Sequence, residues 1–147
     1  MLGQRGVKVT GLVHWAIRVN DLDESRRFYT EVLGMEDRGP VGDHFHCVRF
    51  GDMDLLLTLQ PDSLQVSYRP EDRTHIALRL SDEDFDRAAQ HLRDWGVTVM
   101  PDAAIGPLEG DIEIRRRGVF VGRSLYLLDP SGNRLELYSP TLPSEEA

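Results

Sequence analysis

The sequence predicts an α+β fold: two tandem βαβββ modules whose sheets curve into one open, concave mixed β-barrel with the helices outside. Three observations predict it. The stretch "LVHWAIRVND" (12–21) returns sixty-one residues later as "RTHIALRLSD" (73–82), repeating His14/His75, Ala16/Ala77, Arg18/Arg79 and Asp21/Asp82. An acidic turn and a run with helical periodicity follow each copy. Each run then gives way to extended, apolar-rich segments, so the chain reads as an internal repeat.

The first module covers about residues 10–60. Its opening strand alternates Val13, Trp15, Ile17 and Val19 with His14, Ala16 and Arg18, and such alternation sends the two sets to opposite faces. In "DLDESRRFYTEVLG", Asp21 or Asp23 is placed to cap a helix, and Phe28, Val32 and Leu33 recur at helical spacing. Gly34 suits its exit. "HFHCVRF" and "MDLLLTLQP" read as strands. The proline- and charge-rich "PDSLQVSYRPEDR" (61–73) is the linker.

The second module covers about residues 74–140. Ile76, Leu78 and Leu80 repeat the apolar face of the first strand, and His75, Ala77 and Arg79 repeat the polar one. In "SDEDFDRAAQHLRDWG", Ser81 or Asp82 caps; Phe85, Ala88, Leu92 and Trp95 form the buried stripe, His91 faces solvent, and Gly96 ends the helix. "GVTVM", "GVFVG", "SLYLLDP" and "NRLELYSP" supply the strands, "DPSGN" is a turn, and the tail "TLPSEEA" is expected to fray. The 147 residues thus read as a single domain of two modules around a shared core.

Amphipathic helices cover one face of each sheet, so the other face carries function. In the last strands Ser124, Tyr126, Glu136 and Tyr138 fall opposite the leucines, on the same face as His14 and His75. Two imidazoles and one carboxylate, His14, His75 and Glu136, form a 2-His-1-carboxylate set. Such a set suits one divalent ion of Fe, Mn, Co, Ni or Zn and leaves coordination positions open. A strand histidine alone is more often structural; a pair at equivalent repeat positions with a matching glutamate favours the metal. Tyr126 and Tyr138 are candidates to bond the substrate or act as an acid.

Composition narrows the classes further. Net charge is −8, so a nucleic-acid role is not expected. The local cluster "RRRGVFVGR" offers Arg117 and Arg123, beside Ser124, to a small anionic substrate, with Arg115 and Arg116 read as a solvated face. No apolar run approaches a membrane span, and the N-terminal stretch lacks a signal-peptide core, which implies a cytoplasmic protein without membrane partners. The lone Cys47 agrees with a reducing compartment and reads as a packed strand residue.

The segments "HWAIRVNDLDESRRFYTEVLGM", "HIALRLSDEDFDRAAQHLRDWGV" and "LYLLDPSGNRLELYSP" together resemble the vicinal oxygen chelate superfamily, the glyoxalase/bleomycin resistance/extradiol dioxygenase group. The likeness runs from Leu12 to Pro140 and implies that His14, His75 and Glu136 are the metal ligands of an enzyme acting on vicinal oxygens. A fourth, glyoxalase-type ligand would fall on Leu55, Leu56 or Leu57, so three ligands are expected. The closing spacing resembles extradiol ring-cleaving dioxygenases, which is the leading expectation. Their catalytic histidine is replaced by the stretch Arg117 to Val119, leaving His46 (or His44) as substitute. The alternatives are a glyoxalase-type lyase or isomerase, a fosfomycin-type thiol transferase, and a metal-free drug-binding protein. Thiol transferases of that type carry a threonine where this chain has Ala16, and an arginine beyond the last ligand that the tail lacks. A homodimer is the default expectation, with the three ligands drawn from one chain or from two.

Overall fold

A computed structural model of the chain describes residue 3 and residues 5–144. It contains two separate mixed sheets with helices against them, and no closed barrel. The last three residues of the tail lie outside the described residues. Just before them, the carbonyl of Thr141 accepts a hydrogen bond from Arg123.

The first sheet comprises β1 (His14–Val19), β2 (Glu36–Val41), β3 (Phe45–Phe50) and β4 (Met53–Leu59), in the order β1-β4-β3-β2. The second comprises β5 (His75–Arg79), β6 (Leu108–Glu109), β7 (Ile112–Arg115), β8 (Gly122–Leu128) and β9 (Arg134–Ser139), in the order β5-β9-β8-β7-β6. In each, the first strand lies parallel to the last and occupies an edge. A parallel pair needs a long crossover, which the helix and the intervening strands provide.

α1 (Leu22–Arg27) starts where Asp21 accepts the Glu24 amide at 2.9 Å, and runs into a π-helical turn, Phe28–Val32. α2 (Asp82–Asp94) starts at Ser81, whose hydroxyl accepts the Asp84 amide at 3.2 Å. Phe85, Ala88 and Leu92 bury themselves as their spacing predicts, whereas Trp95, at the C-cap, stays half exposed. His91 does not face solvent as expected: its Nε2 lies 2.8 Å from the Val32 carbonyl, so α2 is tied to the end of the π turn. Val32 lies 59 residues earlier in the chain, so no local periodicity could reveal that contact.

Two strand expectations change. "GVTVM" forms only an isolated bridge, Val99 to Leu127, and "GVFVG" is a loop up to Gly122, where β8 begins, with Phe120 at a φ of 59°. The strand in that region is β7, "IEIR", whose alternation is as regular as that of β1. One apolar cluster, including Ile17, Val48 and Leu57 with Leu78, Leu125 and Leu137, draws on both sheets. Across the junction Asn20 clamps Val66 of the linker, its side chain both donating and accepting at 2.6 Å. Gly132 (φ 96°) brings the turn under the linker: a Cβ there would meet the Tyr68 amide at 2.6 Å, so only glycine fits.

Candidate functional site

The outer faces of the helices are polar, and so is the face of the second sheet turned away from them. Register sets which side chains meet there: Ala77 pairs with Glu136, Glu136 with Tyr126, and Ser124 with both Tyr138 and Glu113. Because alternate residues share a face, His75, Glu136, Tyr126, Ser124, Glu113 and Arg115 project to one side.

His75 is oriented by its other ring nitrogen, Nδ1, which lies 2.8 Å from the Arg73 carbonyl. Its Nε2 lies 3.2 Å from Glu136 Oε1. The second carboxylate oxygen of Glu136 accepts the Ser124 hydroxyl at 2.8 Å and faces Arg115 Nη2 at 3.4 Å. Glu136 thus presents one oxygen, beside an imidazole nitrogen that is not needed elsewhere. A backbone carbonyl on one imidazole nitrogen and a hydrogen-bonded carboxylate beside the other are the supports that ligating histidines and glutamates use, so this donor pair fits a divalent ion. The two donors are not sufficient alone, and no group of three or more His, Cys, Asp or Glu able to hold a metal occurs among the described residues.

His14 is the reason. It is exposed on β1, at the edge of the other sheet, with Asp54 as its cross-strand neighbour. Within this chain it does not join His75 and Glu136. Leu56 shares its face, while Leu55 and Leu57 are buried on the helix side. Asp54 is gripped by Arg49 at 2.7 and 3.0 Å, and that guanidinium holds its carboxyl below the usual range.

Several sequence assignments are corrected. His46 shares the helix-side face with buried Val48, and its Nε2 contacts Asp37 Oδ1 at 2.6 Å. Arg123 faces α2, bonding Asp86 at 2.8 Å with its guanidinium 4.6 Å from the centre of the Phe85 ring; as the neighbour of Ser124 it must point the other way. Arg117 is exposed in the loop after β7. The Tyr138 hydroxyl donates to the Val121 carbonyl at 2.6 Å, so it is occupied away from the His75–Glu136 pair. Tyr126 does lie near His75, their ring centres 6.4 Å apart, but its hydroxyl donates to Glu113. Burial pushes the Tyr126 hydroxyl well above the ordinary tyrosine pKa, and the Glu113 carboxylate adds to the shift, so this tyrosine stays protonated.

Two residues central to the site were missed. Arg115, read as a solvated charge, bonds Glu113 at 2.6 Å and Ser124 at 2.9 Å, and Glu113 is fully buried. The signal was available in the alternation of "IEIR", hidden within a run of arginines.

The molecule is an α+β protein of two mixed sheets with parallel first and last strands, and its second sheet carries, on an open face, a His–Glu pair backed by a polar network. Residues 11–137 match the Glyoxalase/Bleomycin resistance protein/Dioxygenase superfamily, and the chain belongs to it. It is similar to the glutathione transferase FosA of Serratia marcescens, with 30% identity over 92% of this chain and 85% of the relative. It is likewise similar to the metallothiol transferase FosB of Shouchella clausii, with 30% identity over 91% of this chain and 83% of the relative. Among solved structures, the fosfomycin resistance protein FosX of Listeria monocytogenes with Mn(II) and sulfate shares the fold. Its TM-score is 0.68, with 21% identity over 92% of this chain and 94% of that one. These relatives favour the transferase alternative; the ring-cleaving expectation gains no support from them, and of the two candidate bases His46 shares the helix-side face while His44 lies exposed in the turn before β3. Among the described residues no helix is long and apolar enough to cross a membrane.

Proposed function

We propose that the chain is a metal-dependent enzyme of the fosfomycin-resistance kind, in which a thiol or water adds to a small electrophile held by its oxygens at a divalent ion. One observation carries this reading: the Nε2 of His75, oriented through Nδ1, stands beside the single free oxygen of Glu136. A bound divalent ion would supply positive charge to polarise a substrate oxygen. The protein residues do the rest. Ser124 keeps Oε2 of Glu136 engaged, Arg115 compensates its charge, and the protonated Tyr126 donates to Glu113 of β7.

The third ligand, His14, comes from a second subunit in this reading. The β1 and β5 edges are unpaired, and Val13 and Trp15 beside His14 are 82% and 48% exposed, a surface that a second copy would cover. Metal analysis after loading with Mn(II), Fe(II), Ni(II) or Zn(II) tests the proposal. Stoichiometric metal in the native protein that is lost in His75→Ala supports it, and turnover of fosfomycin or a singly charged epoxide with glutathione would then define the reaction. Equal metal content in both proteins would overturn it.

A further inference from the structure

Glu113 is the most deeply buried carboxylate of the polar network, with no exposed surface, and the proposed chemistry does not use it. One of its oxygens accepts the amides of Ile105 and Gly106, each at 2.6 Å. The other accepts Arg115 Nη1 and the Tyr126 hydroxyl, each also at 2.6 Å. Four donors saturate a carboxylate. Arg115 is equally committed. Its Nε reaches the Phe120 carbonyl at 3.1 Å, Nη1 contacts Glu113 and Tyr126, and Nη2 contacts Ser124 and Glu136. A guanidinium has five N–H donors, and each has an acceptor within the protein.

The two groups best suited to grip an anionic substrate, Arg115 and Tyr126, are therefore held by an internal anion. Two carboxylates, Glu113 and Glu136, stand against one guanidinium, which leaves the network with one net negative charge. A divalent ion at His75 and Glu136 would turn this into one positive charge. A monoanion neutralises that charge; a dianion overshoots it, and uncompensated charge against a fully buried carboxylate and a largely buried guanidinium is costly.

We propose that Glu113 is the charge-selecting residue of this site: it fills from within the place of a second substrate charge, so the substrate is monoanionic. The proposal rests on the functional reading above for the identity of the pocket, and it makes the dianionic form of a phosphonate a poor ligand for this chain.

The test titrates methylphosphonate, as the dianion at mildly alkaline pH, and lactate into Mn(II)-loaded protein by calorimetry, with the Mn(II) electron paramagnetic resonance spectrum as a second readout. Native protein is expected to prefer lactate. Glu113→Gln keeps the shape and removes the charge, and should shift the preference toward methylphosphonate by about tenfold or more, the scale of one charge-assisted hydrogen bond. Glu113→Asp, which keeps the charge, should retain the native preference. An unchanged ratio in a folded Glu113→Gln protein overturns the proposal. So does a native protein that binds the dianion as tightly as lactate, a result that needs no variant. Failure to bind Mn(II) at all would sink the functional reading alone. Metal-free Glu113→Gln must still gain methylphosphonate affinity over metal-free native protein, and no gain there overturns the charge-selection proposal.

Discussion

Ser124 is a small residue with a large positional effect. Fully buried, it takes one oxygen of Glu136 for itself and accepts from Arg115, so the other oxygen is left facing His75. Ser124→Ala should lower Mn(II) affinity about tenfold, as the loss of outer-shell support does in metal sites, measured by competition with a chelator. The contrast with its neighbour is instructive. Arg123 is bonded to Asp86 and Thr141 on the helix side, so Arg123→Gln should leave anion and metal binding unchanged and act on stability alone. Thermal melts set beside the titrations separate the two effects. Arg115 and Arg123 are both arginines of one basic run, and only strand parity distinguishes the one at the site from the one against α2.

The π turn after α1 joins the two halves of the molecule. It places Tyr29, fully buried, so that its hydroxyl donates to Asp129 at 2.7 Å, one hundred residues on, in the "DPSGN" turn. Asp129 also accepts the amides of Ser131 and Asn133 and the Asn133 side chain. Burial nevertheless raises its pKa above the ordinary carboxylate value, and these hydrogen bonds only partly oppose the shift. The neutral acid is thus favoured in the fold, and the stability contributed is present below the unfolded pKa and lost as pH rises through the folded one. Tyr29→Phe removes one donor to the anion and should cost about 1–3 kcal/mol at neutral pH. The deficit should shrink as pH falls through the raised pKa of Asp129 and the carboxyl takes up its proton. Urea unfolding at the two pH values measures it; a pH-independent deficit would contradict the assignment.

At the scale of the whole molecule, the decisive feature is that His14 and the His75–Glu136 pair sit on different sheets that do not close on each other. If a partner subunit supplies the missing imidazole, inactive variants should complement. His14→Ala and His75→Ala chains would each bind little metal alone. Co-refolded in equal amounts they form mixed dimers with one intact site, restoring about a quarter of the native stoichiometry by random pairing in a two-fold assembly. Metal analysis of the mixture reads this directly, and no recovery would place all ligands in one chain. Leu56, on the face of His14, offers a further check: Leu56→Glu should add a carboxylate there and raise affinity in the assembled protein, by the same titration.

What the sequence by itself determined was local and periodic. Alternation in β1 and β5 set which side chains share a face, Asp21 or Asp23 and Ser81 or Asp82 marked the helix starts, and the repeat placed His14 and His75 at equivalent strand positions. Those are short-range consequences of backbone geometry, written within ten residues of where they act. Only the tertiary structure decided the rest. The parity of Arg123 followed from the register of β8 against β9, the role of Arg115 from a strand hidden inside a basic run, and the burial of Glu113 from the loop at Ile105 and Gly106 folding over it. His91 and Tyr29 found partners 59 and 100 residues away in the chain. Such contacts join residues distant in the chain, and their energy depends on which faces the core brings together, a quantity that no local pattern contains.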